Sequence, residues 1–143
     1  MDQIIIRSRN PARITLEEAE ELAQAVRALV PDINVEVEGK EQKPSTYGVT
    51  YFQIIEIVLL STATIVGKEM IQEFTKAGIE WARTRLKRKK GGTPIYIPIY
   101  GPDGEIVKSV VIKNATDEPE DRTEQDRELR KGFKKTDRSG FLG

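Results

Sequence analysis

Two residue types are missing altogether: the 143 residues include no cysteine and no histidine. Without cysteine there is no disulfide, no thiolate nucleophile and no cysteine-bound zinc, and the absence fits a reducing compartment. Without histidine there is no imidazole to act as a general base near neutral pH, no Ser-His-Asp triad and none of the usual zinc or copper ligand sets. Aromatic residues are scarce, at 6%, and Trp81 is the single tryptophan. Net charge is missing too, because 23 Lys and Arg balance 23 Asp and Glu. No overall field therefore draws the chain to nucleic acid or anionic lipid, and any such binding must come from local clustering. Met1 to Arg7 carries neither the basic region nor the cleavage site of a secretory signal. The expectation is a cytoplasmic protein with one core, since the length suits a single domain.

What is present is strongly patterned. Ile4, Ile5 and Ile6 form a short β-branched run ended by Asn10-Pro11, a first strand. Thr15 and Glu18 have capping-box spacing and open a helix whose apolar face is Leu16, Ala19, Leu22, Ala23, Val26, Leu29 and Val30, stopped by Pro31. Ile33, Val35 and Val37 alternate with polar residues, as a half-buried second strand requires. Residues 39–46 contain no apolar side chain and read as a loop. Thr93 to Tyr100 and Ile106 to Ile112 flank Gly101-Pro102-Asp103-Gly104, where proline supplies a fixed dihedral and glycine a positive one, so these two strands form a hairpin. Pro98 cannot donate to a ladder, which places its strand at an edge or a bulge. No internal repeat is visible.

From Val49 to Lys90 the sequence reads as one long helix. Its first part, through Ile54, Ile55, Ile57, Val58, Leu59 and Leu60, is apolar on almost every side, and such a helix must be enclosed by something. After Gly67 it narrows to a stripe of Ile71, Phe74, Gly78, Trp81, Ala82 and Leu86, opposite Lys68, Glu69, Glu73, Lys76 and Glu80. Tyr47 to Gly67 is close to the roughly 20 residues of a bilayer span. Gln53 and Glu56 interrupt it, however, and an acidic residue near mid-span costs on the order of 3 kcal/mol, so protein is expected to enclose it.

The expected fold is therefore α+β, with strand and helix in the order β-α-β-α-β-β. A small, mostly antiparallel sheet of about four strands packs against two helices, the second long and hydrophobic. Residues 1–115 form the domain, and 116–143 a charged tail that is disordered or ordered by a partner. In that tail an acidic block precedes a basic one, with Leu129, Phe133, Phe141 and Leu142 as its few apolar anchors.

Candidate sites follow from the same pattern. Glu56, a carboxylate inside the most apolar stretch, must be paired, protonated or turned to an interface. Trp81 is either a core residue whose indole N–H needs a partner or an interface anchor. Arg83, Arg85, Lys87, Arg88, Lys89 and Lys90 cluster at the helix end, where they either complement the macrodipole or bind phosphates. No residue set forms a catalytic, cofactor or metal motif, and the expectation is a protein that is not an enzyme.

The hydrophobic segment, Trp81 with Arg83 and Arg85, the Ile95 to Tyr100 strand, the Gly101-Pro102-Asp103-Gly104 turn and the closing strand together resemble the effector-associated constant component family. The resemblance covers roughly residues 1 to 113. It implies a small α+β adaptor domain of prokaryotic conflict systems that couples a sensor or trigger to an effector such as a peptidase, and it brings no catalytic residues. The resulting expectation is an interaction module whose partners are other protein chains, including a second copy through the long helix. The alternatives are nucleic-acid binding through the basic helix end and membrane association through the hydrophobic segment.

Overall fold

The computed structural model describes residues 3–41, 53–60, 67–88 and 93–129. Six strands occur among them: β1 (Gln3–Ser8), β2 (Asn34–Gly39), β3 (Gln53–Leu59), β4 (Ile95–Tyr100), β5 (Ile106–Ile112) and β6 (Glu120–Asp121). Three helices accompany them, α1 (Leu16–Leu29), α2 (Lys68–Arg88) and α3 (123–129). The strands form one sheet in the order β2-β1-β3-β4-β5-β6. The fold is α+β, but the sheet is mixed, with β1 parallel to β2 and β3 parallel to β4, while β1–β3, β4–β5 and β5–β6 run antiparallel.

The expectation of about four mostly antiparallel strands and two helices is corrected in the middle of the chain. Gln53–Leu59, read as the enclosed half of a long helix, is the strand β3, and α2 begins only at Lys68. All seven residues of β3 are buried. A strand covered on both faces loses the alternation that marks a half-exposed one and becomes a continuous apolar run, which periodicity cannot tell from a buried helix. Its β-branched Ile54, Ile55, Ile57 and Val58 favour the pleated conformation. Placing β3 between β1 and β4 adds a second strand-helix-strand crossover, and with it the second parallel pair.

The two crossovers, β1-α1-β2 and β3-α2-β4, start from antiparallel neighbours and run outward in opposite directions. Units of one hand arranged this way carry both helices on the same face, and α1 packs against α2. The helices cover Ile4, Ile6, Ile55, Ile57, Leu59, Ile97 and Ile99 with Leu22, Val26, Phe74 and Ala82, all within one core. Gly78 lets α2 approach closely, since a Cβ there would stand 3.2 Å from Ile97 Cδ1. The predicted cap is present: the Glu18 N–H donates to Thr15 Oγ1, and the Thr15 N–H donates to Glu18 Oε1, each at 3.2 Å.

The hairpin closes as expected, with Gly104 at φ 78 and its N–H bonded to the Gly101 carbonyl at 3.0 Å. β4 is an interior strand, and its pairing with β3 passes from Ile54↔Tyr96 to Ile57↔Ile99, so the ladder is open around Pro98, which has no N–H to give. The ordered fold also runs beyond residue 115. β6 pairs with β5, and α3 lies on the sheet face opposite α1 and α2. Its Asp126 accepts from Tyr96 and Ser109, whose side chains alternate away from Ile97 and Val110.

Candidate functional site

α1 and α2 lie antiparallel, and one end of the pair is clamped. The Trp81 indole N–H donates to the Glu18 carbonyl at 2.9 Å, so the predicted partner for that N–H is found on α1. Arg85 is buried; one of its nitrogens donates to the Arg13 carbonyl at 2.6 Å and to Gln53 Oε1 at 2.9 Å, and another pairs with the Glu18 carboxylate. Its guanidinium carbon stands 6.0 Å from the Trp81 ring centroid, within reach of a cation–π attraction. Burial lowers the Arg85 pKa from its ordinary value. One turn further, Arg88 pairs with Glu21 at 3.6 Å. These contacts join the last turns of α2 to the first turns of α1 and to the start of β3.

Beside the clamp the helices leave an open groove of about 510 Å³. Its floor is Ala25, Ala28, Leu29, Ala77 and Trp81, and its rim carries Glu21, Glu73, Glu80 and Lys76. Ala25 and Ala28 are exposed, while Ala77 and Leu29 are half-buried against the core. Alanine stops at one methyl group, so two facing helices with alanines along the seam leave a trough where larger residues would interdigitate. Lys76 is drawn to Glu73 on the same helix, at 3.8 Å, and the remaining rim is acidic. The groove has an apolar floor and carboxylate edges.

The opposite face holds a second set of polar side chains. Glu56 is buried between two guanidinium groups, 3.4 Å from Arg7 Nη1 and 3.9 Å from Arg9 Nη1, and Arg7 also reaches Glu38 at 3.3 Å. Further along, Asp126 Oδ2 accepts from the Tyr96 hydroxyl at 2.5 Å and the Ser109 hydroxyl at 2.7 Å, with Arg122 3.8 Å from its other oxygen. These groups hold strands and α3 together. Among the described residues no group of three or more carboxylates is placed to hold a metal ion, and no helix is long and apolar enough to cross a membrane.

The basic cluster at the end of α2 is divided by the fold. Arg85 is used inside it, Arg83 donates to the Asp117 carbonyl at 3.3 Å, and Arg88 is engaged with Glu21, while Lys87 is exposed. Lys89 and Lys90 lie outside the described residues, as do Phe133, Phe141 and Leu142. Leu129 is at the end of α3 and 58% exposed. Sequence reasoning named Trp81 as a candidate and did not name the alanines that lie beside it. Ala25, Ala28 and Leu29 continue the apolar face of α1 at helical spacing, and only the position of α2 shows that they line a groove.

The described residues form an α+β domain with an open groove on the outer side of its helical layer. The chain matches no family model, no curated protein and no solved structure.

Proposed function

We propose that this chain is a non-enzymatic interaction module, an adaptor subunit that docks another protein in the groove between α1 and α2. The observation that carries the reading is the groove itself, with an alanine and tryptophan floor and acidic edges on a helical layer already braced by Arg85. Apolar surface in such a trough gains about 25 cal/mol for each Å² that a partner covers, and a braced site loses little order on binding. The resemblance to the effector-associated constant component supplies the setting: a prokaryotic conflict system in which the adaptor joins a sensor or trigger to an effector such as a peptidase.

The test is capture of purified candidate effectors and sensors from such a system by the tagged chain, compared with the Ala25→Arg/Ala28→Arg variant. Both positions are exposed, so the folded state tolerates the change, which circular dichroism checks. A partner retained by the unaltered chain and lost by the variant supports the reading. Equal capture by both, or capture by neither, contradicts it.

A further inference from the structure

On the footing that the groove is a docking site, its occupant when no effector or sensor is bound can be named. We infer that it receives the basic C-terminal segment, residues 130–143, of a second copy of this chain. That segment carries Arg130, Lys131, Lys134, Lys135 and Arg138 against a single acid, Asp137. The groove keeps a smaller acidic excess, with Glu21, Glu73 and Glu80 against Lys76, turned to Glu73, and Arg88, turned to Glu21. Opposed potentials of this kind steer encounter and fix register. The segment also supplies Phe133, Phe141 and Leu142, and an alanine floor ending at Trp81 has room for flat or branched apolar groups.

For Phe133, the apolar anchor nearest α3, geometry selects a second copy over the chain's own segment. α3 lies on the sheet face opposite the helices, held there by Asp126 on Tyr96 and Ser109. Phe133 follows Leu129 by four residues, at most about 14 Å of extended chain. Reaching the groove requires rounding the sheet and crossing α2, a helix alone being about 10 Å wide, so Phe133 of the same chain falls short. Each copy contributes this groove and this segment, and two copies that exchange segments fill the groove of each at once.

The experiment uses two full-length variants and sedimentation equilibrium. Glu73→Lys/Glu80→Lys reverses the groove, and Lys131→Glu/Lys134→Glu/Lys135→Glu reverses the segment, leaving Arg130 and Arg138 against four acids. In the first, groove and segment are both basic, and in the second both are acidic, so each variant alone repels itself. The unaltered chain is expected to associate, more weakly as salt rises, and each variant alone to associate about tenfold or more weakly. An equimolar mixture is expected to recover association, because each groove then meets a segment of opposite charge. As a direct readout, a synthetic peptide of residues 128–143 is expected to shift the fluorescence of Trp81, the only tryptophan, in the segment-reversed variant and not in the groove-reversed one. A monomeric unaltered chain, or a mixture no more associated than its components, overturns the inference. If that happens while a partner is still captured by the unaltered chain and lost by Ala25→Arg/Ala28→Arg, the docking function stands and only the named occupant is wrong; if that capture also fails, both fall.

Discussion

Along the middle of the helical face, β1, β3 and β4 present Ile4, Ile6, Ile55, Ile57, Ile97 and Ile99 to the helices, a dry aliphatic layer. The same strands turn Arg7, Glu56 and Tyr96 to the other face, where ion pairs and the Asp126 carboxylate join them. The dry layer supplies most of the burial but says little about register, since isoleucine follows isoleucine. The polar face supplies the address. A one-residue slip of β3 against β1 would drive Glu56 into the aliphatic layer and part it from Arg7 and Arg9, and an uncompensated buried carboxylate is strongly unfavourable. The outer side of the sandwich repeats the contrast: α1 and α2 leave an open trough, whereas α3 is tied down through Tyr96 and Ser109.

The comparison predicts that the aliphatic face is costlier to damage. Phe74→Ala empties a fully buried aromatic site under α2 and is expected to lower the stability by about 3–5 kcal/mol, read by chemical denaturation. On the polar face, Asp126→Ala leaves two hydroxyls without their shared acceptor and is expected to lose about 2–3 kcal/mol. Tyr96→Phe combined with it should cost less than the sum of the two single changes, because both remove one bond. Additive losses there would mean that α3 is not held as described.

A smaller effect is expected at the β5–β6 end. Burial alone would raise the Asp121 carboxyl, but hydrogen bonds from Lys108 and Thr123 and the Lys108 charge outweigh it and hold the pKa down to about 2. A pKa below the unfolded value of about 3.9 favours the folded state above that pH. That contribution fades as pH falls from about 4 to about 2. The side chain is 55% exposed, so solvent screening keeps the loss below about 1 kcal/mol. Lys108→Ala should flatten this part of the acid-denaturation curve with little change at neutral pH.

How much was legible depends on which face a residue serves. α1 was readable in full, because Thr15 and Glu18 mark its start and one side is wet. The β4–β5 hairpin was readable from its turn, with Gly104 taking the positive φ the pattern asks for. The stripe of α2 was readable too: Phe74, Gly78, Trp81, Ala82 and Leu86 are all buried. β3 was not, since burial on both sides erases the period on which the reading depends, and its loss concealed the second crossover and the mixed sheet. Glu56 carried a partial signal, as a carboxylate that had to be paired, but its partners Arg7 and Arg9 lie 49 and 47 positions earlier. The groove was illegible because it belongs to neither helix alone.

Hydrogen–deuterium exchange of the full-length chain, dilute and concentrated, compares the open and the closed sides in one measurement. The account predicts that association slows exchange in the stretch of α1 around Ala25 and Ala28 and in α2 around Ala77, leaving α3 unchanged. Slowed exchange confined to α3 and the Tyr96 face, with both groove walls unaffected, would contradict it.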